Sequence, residues 1–507
     1  MALLRKSPVR SKETYIYMFS VSLLSLRRDP RIVKLPPYLS ALLIIIGAAW
    51  LFTLPLNEYS RQTYISENAL LPGQVHTYFG GSEHNVFRAY RQEVGVLNER
   101  SEEERYQGIE EIFRSNGLKA ATQSWKYERA GQIREGKNVY AVLQGPRADA
   151  TEAMVLIGAW RNMNGDINYS GVALVLAFAR YFKRWSMWSK DIIFVIPSDS
   201  ISGPQAWVDA YHDSHDPTMI ESLAVKSGAL QGAIALDYPA PPWGQRFDKL
   251  NVVYDGVNGQ LPNLDLVNTA VSVASGQMGI GCTIQKMWNH GDSYQERLQT
   301  IFRGMVQQAA GFGSGPHSSF MAYHVDAITL QTVGEDGWHD EMSLGRAVEG
   351  TFRSLNNLLE HLHQSFFFYL LMHANRFVSI GTYLPSAMLI AGNFSITSIL
   401  LWVLSGRPAM KKSSQKADKP TDEKSPMEAI EVGDSVALVP AEELEVAERE
   451  MFLPLAIVFA AHAFGFVPLY ALNQIPDQVS IIGSNIDRVV FLILTMSHRA
   501  RLLTRPL

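Results

Sequence analysis

Apolar and polar positions divide this chain into one long globular stretch set among strongly apolar segments. Residues 35–57 carry no charge and contain LLIIIGAAWLFTLPL, enough for a helix to cross a bilayer core, which takes about 20 apolar residues. Residues 377–406 are charge-free, and 451–476 are again predominantly apolar. Between them, 58–360 has globular composition. Short apolar runs at NVYAVLQG, MVLIGAW, DIIFVIP, GAIALD and LNVVYDG alternate there with helical periodicity at 172–182, 204–211, 264–273 and 297–308. Two surface helices are predicted within 83–113. Strands alternating with helices predict an α/β domain with a largely parallel sheet covered on both faces, carried by α-helical transmembrane segments.

The flanking segments give a topology. Residues 1–34 hold Arg5, Lys6, Arg10, Lys12, Arg27, Arg28, Arg31 and Lys34 against only Glu13 and Asp29, so the positive-inside rule makes this basic arm cytosolic. The length of the apolar core and of the arm before it fits a retained anchor at 35–57 better than a cleaved signal. The globular domain then starts on the far side. The aromatic-rich segment 361–376 is predicted to lie amphipathically at the interface, with Phe366 dipping in. Residues 377–406 form a span whose Pro385, Gly392 and Asn393 mark a kink or polar contact, read as packing rather than transport. Residues 407–450 are charged and Ser/Pro-rich, predicting a flexible cytosolic loop. Residues 451–476 return the chain, and 477–507 offer a short or incomplete last span and a basic tail.

Charge and motifs narrow the chemistry. The net charge is −4 and no long basic patch is interleaved with aromatics, so nucleic acid is not an expected partner. A single cysteine excludes an internal disulfide and a multi-cysteine zinc site, and its context GIGCTI makes Cys282 a small core residue rather than a nucleophile. There is no phosphate-binding Gly-rich loop, HExxH or nucleophile elbow. Gly291-Asp292-Ser293 beside His290 reads as a solvated turn, since a triad is assembled by the fold and not by adjacency. Asn168-Tyr169-Ser170 is a glycosylation sequon, and the same asparagine can instead cap the helix that follows; both readings stay open.

The segment 154–210 reads as a β-α-β unit, and such units place ligands beyond the carboxyl ends of their strands. Those ends carry Trp160-Arg161-Asn162 and Ser198-Asp199-Ser200. Farther on, the glycines of GFGSGPHSSF present His317 just before the apolar run AITLQT. The order NVYAVLQG, VLIGAW, NGDINYSGVALVLAFAR, DIIFVIPSDSISGPQAW, AIALD, GPHSSF resembles the di-zinc aminopeptidases. That resemblance implies a metal set of His, Asp, a Glu-Glu pair, a further Asp and a late His. Two zinc ions would lower the pKa of bound water, and a glutamate would take its proton. Here the set is broken. Trp160 stands at the first His, Ser198 at the catalytic Glu, and Ile167 at the bridging Asp with Asp166 beside it. Asp199, Asp237 and His317 survive. They lack a proton acceptor, so hydrolysis by that route is not expected. A single zinc on Asp199, His317 and Asp166 is the alternative to the favoured reading, in which Asp199 caps the helix near Ser202, Asp237 ends a strand, and no cofactor is required.

A second resemblance covers nearly the whole chain. YDGVNGQLPNLDLVN, GRAVEGTFRSLNNLLEHLHQSFFFYLL and RFVSIGTYLP, with a basic arm, one anchor, a large domain and later spans, are similar to the GPI-anchor attachment protein family. This implies a multi-pass subunit of the GPI transamidase in the endoplasmic-reticulum membrane, with its N-terminus cytosolic and its large domain luminal. Its implied role is non-catalytic. It would help bring the GPI lipid and the precursor's carboxyl-terminal signal to a caspase-like cysteine subunit, alongside the other membrane subunits. That family has more C-terminal spans than are found here. Pro385, Asn393 and Phe366 are the expected approach for the lipid. An active membrane-tethered zinc aminopeptidase and a purely structural scaffold are the rival readings.

Overall fold

Strands buried on both faces read as nearly unbroken apolar runs, and the runs singled out above become the centre of one sheet. The computed structural model describes residues 30–74, 76–129, 132–405, 427–432, 435–440 and 451–474. The arm up to residue 29 and the tail from 477 lie outside the described residues. In chain order the strands are β1 (Arg61–Gln62), β2 (Lys119–Arg129), β3 (Gln132–Leu143), β4 (Glu152–Ile157), β5 (Asp191–Ile196), β6 (Ala229–Asp237), β7 (Lys249–Val253), β8 (Gly281–Thr283), β9 (Ala327–Val333), β10 (Tyr369–His373) and β11 (Arg376–Ser379). Eight of them form a sheet in the order β2-β3-β5-β4-β6-β9-β7-β8. Its centre, β5-β4-β6-β9, is parallel. The β2–β3 hairpin joins β5 antiparallel, while β7 and β8 are parallel to each other and antiparallel to β9.

Alternate residues of the central strands feed two cores. Phe194 packs with Phe178, Phe182, Trp188 and Phe352 on one face; Val195 packs with Trp207, Ala235 and Phe320 on the other. The helix Tyr169–Lys183 is buried nearly all round, so it reads as apolar rather than amphipathic. The helix Ser202–Tyr211 covers the second face through Trp207. The two surface helices are Ser82–Glu99 and Glu102–Ser115, the latter opened by a capping box of Ser101 and Glu104.

The segment 361–376, expected as an interfacial amphipathic segment, is partly β structure. It supplies β10 and the start of β11, which with β1 make a three-stranded antiparallel sheet. Tyr369, Leu371 and Met372 are buried, and of its aromatic side chains Phe367 and Phe368 stand out into solvent.

The described residues divide into two compact units, one comprising Leu54–Thr382 with residues 471–474, the other Pro30–Thr53 with the described part of Tyr383–Tyr470. In the second, the helix Pro30–Thr53 begins inside the basic arm and ends short of residue 57. The helix Ile380–Ser405 contains Pro385. Lys34–Thr53 and Ile380–Trp402 are long and apolar enough to cross a membrane, and Phe452–Gln474 is a further, apolar helix. Within 407–450, where a flexible loop is expected, β12 (Met427–Val432) and β13 (Ser435–Pro440) pair as an antiparallel hairpin.

Candidate functional site

The parallel strands β4, β5 and β6 end on the same edge of the sheet, and the residues just beyond them build the candidate site. Asn168 ties that edge together. It is 1% exposed, its Nδ2 donates to the carbonyls of Ala159 (3.0 Å) and Leu236 (2.8 Å), and its Oδ1 accepts from Tyr238 N at 2.8 Å. One amide thus clamps the exits of β4 and β6. Gly171 makes room for it, since a Cβ there would lie 2.2 Å from Asn168 Oδ1. Both readings of the sequon are corrected by this geometry. The amide nitrogen is buried and already bonded, which leaves it unavailable to a glycan in the folded chain. Although Asn168 occupies the N-cap position of Tyr169–Lys183, its side chain makes no cap bond.

Trp160, which the sequence resemblance set at the first metal-ligand position, is 3% exposed, and its backbone N–H bonds to the carbonyl of Pro197, joining the β4 and β5 exits at 2.8 Å. The guanidinium of Arg105, from the helix Glu102–Ser115, lies over its ring at 4.8 Å and is held by Glu102 at 2.9 Å. A permanent cation therefore sits beside the residue standing where a zinc-binding imidazole is expected. Ser198 is half-buried against bare backbone: a Cβ on Gly136 would come within 2.5 Å of its hydroxyl oxygen.

The surviving polar residues are engaged by protein. Asp199 Oδ1 accepts from the backbone N–H of Ile201 (3.1 Å) and Gly203 (2.7 Å), closing the first turn of Ser202–Tyr211. Asp237 is buried at the end of β6, where it accepts from Asn162 Nδ2 at 3.2 Å and Gln331 Nε2 at 2.9 Å. Burial pushes its carboxyl up, the two amides pull it back, and Asp166 pushes it up further. Asp166 itself is exposed, in a turn closed by the backbone and side chain of Asn162. His317 is fully buried, with Nδ1 2.7 Å from Thr329 Oγ1 and Nε2 3.1 Å from the Asp255 carbonyl. Burial pulls its pKa down to about 4. It engages β9 at Thr329, whereas Asp237 is bonded at Gln331, so the two survivors meet that strand at different levels. Among the described residues no three His, Cys, Asp or Glu side chains are grouped to hold a metal ion. The residues present do not fit the di-zinc set.

Other candidates are also placed. The Cys282 thiol is pushed up to about 12 by burial. The Asp292 turn is an ion cluster rather than a solvated loop: Asp292 accepts from Arg297 (2.6 and 2.8 Å) and Arg376 (2.8 Å), while Ser293 and Glu296 form a capping box for Tyr294–Ala310. In the helical unit, Asn393 Oδ1 accepts from Ser40 Oγ and Ser386 Oγ donates to the Gly47 carbonyl at 2.7 Å, so the polar groups of this span serve helix–helix packing. Pro385 lies half-buried in the same helix. Phe366 is half-buried and packs on the core with its ring 5.5 Å from Phe377.

Sequence reasoning missed Asp255. Its carboxyl is buried with Oδ1 unpartnered, Oδ2 accepts from Gln285 at 2.6 Å, and burial pushes its pKa up to about 7. The only signal was its place in LNVVYDG, immediately after a strand.

Fold and site together define a class, a mixed α/β domain joined to apolar helices, with protein groups filling the strand-end site. The family model described as Gaa1-like, GPI transamidase component, matches residues 135–504, and the chain belongs to that family. It is 37% identical over 378 residues to the GPI transamidase component gaa1 of Schizosaccharomyces pombe, which covers 72% of this chain and 64% of that protein. It is 37% identical over 375 residues to GAA1 of Saccharomyces cerevisiae, covering 73% and 58%. The match spans less than two thirds of either relative. Similar solved structures include Fimbriiglobus ruber glutaminyl cyclase (12% identity, 55% of this chain, 97% of that chain, TM-score 0.38) and a zinc aminopeptidase from Bacillus subtilis (10%, 54%, 95%, TM-score 0.37).

Proposed function

We propose that this chain is a non-catalytic membrane subunit of the GPI transamidase, helping to bring GPI lipid and precursor protein to a cysteine-protease-like subunit. Membership of the Gaa1-like family supplies the setting. The observation that carries the non-catalytic part is the filling of the strand ends. Trp160 stacked with Arg105 stands at the first metal position, and His317 has both ring nitrogens engaged by protein. Covalent acyl transfer requires an activated nucleophile, and the one cysteine is a half-buried thiol whose pKa is pushed up, so it stays protonated at neutral pH. The acyl-enzyme then forms on a partner. Two helices apolar and long enough to span support a membrane protein, family membership supports the endoplasmic reticulum, and the basic charge of residues 1–34 supports a cytosolic N-terminus with the domain luminal.

The test is complementation of cells depleted of their own copy of this subunit. Cys282→Ala is expected to restore surface display of GPI-anchored reporters as well as the unaltered chain does, and the complex should co-purify with a cysteine-protease-like subunit. Loss of display by a Cys282→Ala chain that still assembles would overturn the reading.

Zinc does not enter this role. Metal analysis of the purified chain is expected to find well under one equivalent of zinc. One equivalent that disappears in His317→Ala, together with release of amino-terminal residues from peptides, would instead support the aminopeptidase reading.

A further inference from the structure

The loops that follow β6 and β9 carry two tryptophans out into solvent. Trp243 is 81% exposed and Trp338 88%, whereas Trp125, Trp160, Trp188 and Trp207 of the same domain are buried. Between the loops lies an open cleft of about 610 Å³, lined among others by Pro241, Trp243, Arg246, Glu335, Asp336 and Gly337. Trp338 stands directly after Gly337, at the edge of that cleft.

Both loops are fastened from beneath. The carbonyl of Pro242 accepts from Arg91 Nε and Gln92 Nε2, each at 3.0 Å, and Gly244 N–H closes the turn on the Pro241 carbonyl at 2.8 Å. Arg91 is itself buried, 3.6 Å from the buried carboxylate of Glu341. Phe247 and His339 exchange backbone hydrogen bonds at 3.0 and 3.2 Å, which joins one loop to the other. Gly337 packs so closely on Phe247 that a Cβ there would overlap its carbonyl. Two indoles carried on anchored loops cost little ordering when something covers them, and such preorganised aromatic surface is what converts into affinity.

The make-up of the cleft says what covers it. Trp and Arg are the side chains that most often dominate protein–protein contacts, and two of the first and one of the second share this patch. Beside them Glu335 and Asp336 are exposed, and neither these carboxylates nor the Arg246 guanidinium makes an ion pair or side-chain hydrogen bond among the described residues. One cation thus stands against two anions. A membrane-docking surface carries basic residues rather than acidic ones, so this sign favours a protein that offers basic side chains at the rim. The family is one of transamidase components, and other chains of that assembly supply such a surface.

We propose that the face centred on Trp243 and Trp338 docks another protein subunit of the transamidase assembly, one presenting apolar slots for the two indoles and basic side chains for Glu335 and Asp336. The proposal rests on the chain being a component of that assembly, and not on its being non-catalytic.

The test compares the free full chain with the assembled complex, both in polyoxyethylene-ether micelles, by hydroxyl-radical oxidation read by mass spectrometry. Trp243 and Trp338 are expected to oxidise readily in the free chain and at least about tenfold more slowly in the complex. A benzophenone side chain introduced at Gln245 is expected to crosslink to one other subunit. Glu335→Lys combined with Asp336→Lys should cut that yield about tenfold, because like charges across an interface are costly, while the melting temperature of the free chain stays unchanged. Equal oxidation of both tryptophans in free chain and complex, or crosslinking from position 245 to lipid alone, would overturn the docking face. Slower oxidation of the free chain on adding soluble mannose oligosaccharide, or on concentrating it, would assign the face to a glycan or to a second copy and overturn the protein partner. A chain that assembles with no other subunit would overturn the transamidase reading together with the proposal, and that failure shows in the composition of the purified complex before any oxidation is read.

Discussion

Replacing Asn168 by alanine is expected to destabilise the α/β domain by roughly 3–5 kcal/mol, the largest loss we foresee from any single substitution at the strand ends. The change removes a donor shared by the carbonyls of Ala159 and Leu236 and the acceptor for Tyr238 N–H. All three backbone groups lie where β4 and β6 leave the sheet, too deep for water to replace the amide. Gly171 is shaped to that amide, so the smaller side chain leaves a void as well as unpaired groups. Urea unfolding of the full chain in detergent, followed by tryptophan fluorescence, checks the magnitude. Treatment with an endoglycosidase is expected to leave the Asn168 peptide unchanged, and a mass shift at that peptide would contradict the clamp.

The second large effect depends on pH. Asp255→Asn is expected to stabilise the domain by up to about 4 kcal/mol above pH 7 and to have little effect below about pH 4. The buried Asp255 carboxyl has its pKa raised from 3.8 to about 7 on folding. Below the unfolded value both states are protonated and burial of the neutral acid costs nothing through this group. As pH rises through the folded value the native state must either hold a proton or bury a charge, and stability is lost. Asparagine keeps the shape and the contact to Gln285 without the charge. His317 acts in the opposite sense. Its pKa falls from 6.5 to about 4 on folding, so stability is lost as pH drops from 6.5 toward 4, by about 3 kcal/mol in all. In the unaltered chain these two neighbours oppose one another across the same window. The variant should therefore show a steeper acid-side decline than the parent, and the difference between their unfolding free energies should climb between pH 4 and 7 and then level off. A difference that stays flat with pH would show that Asp255 is not held neutral.

The central sheet was legible because β4, β5 and β6 are buried on both faces and leave unbroken apolar runs. The helix Tyr169–Lys183 could be placed between two of them by its spacing. β2 could not be read, since KAATQSWKYER is mostly polar with no apolar run and gains its place by pairing along its whole length with β3. Residues 361–376 misled for a related reason. FFFYLL has the aromatic content of an interfacial segment, yet alternate contacts with β11 turn Tyr369, Leu371 and their neighbours into core. At the site, the departures from the zinc pattern were visible as Trp160 and Ser198, and Asp199 was rightly read as a capping carboxylate. What fills the strand ends was not visible. Arg105 lies far from Trp160 in sequence, and the three partners of Asn168 come from two strand ends, those of β4 and β6, so only the fold brings them together.

The short sheet of β1, β11 and β10 has a consequence for how the domain is held. β1 follows the first apolar helix, and β11, paired with it at Arg61–Phe377 and Gln62–Arg376, precedes the second. Every peptide bond between those two strands therefore belongs to a loop whose two ends are each covalently joined to an apolar helix. A single proteolytic nick in that loop leaves both fragments tethered and still paired to each other, so release of the domain requires two cuts.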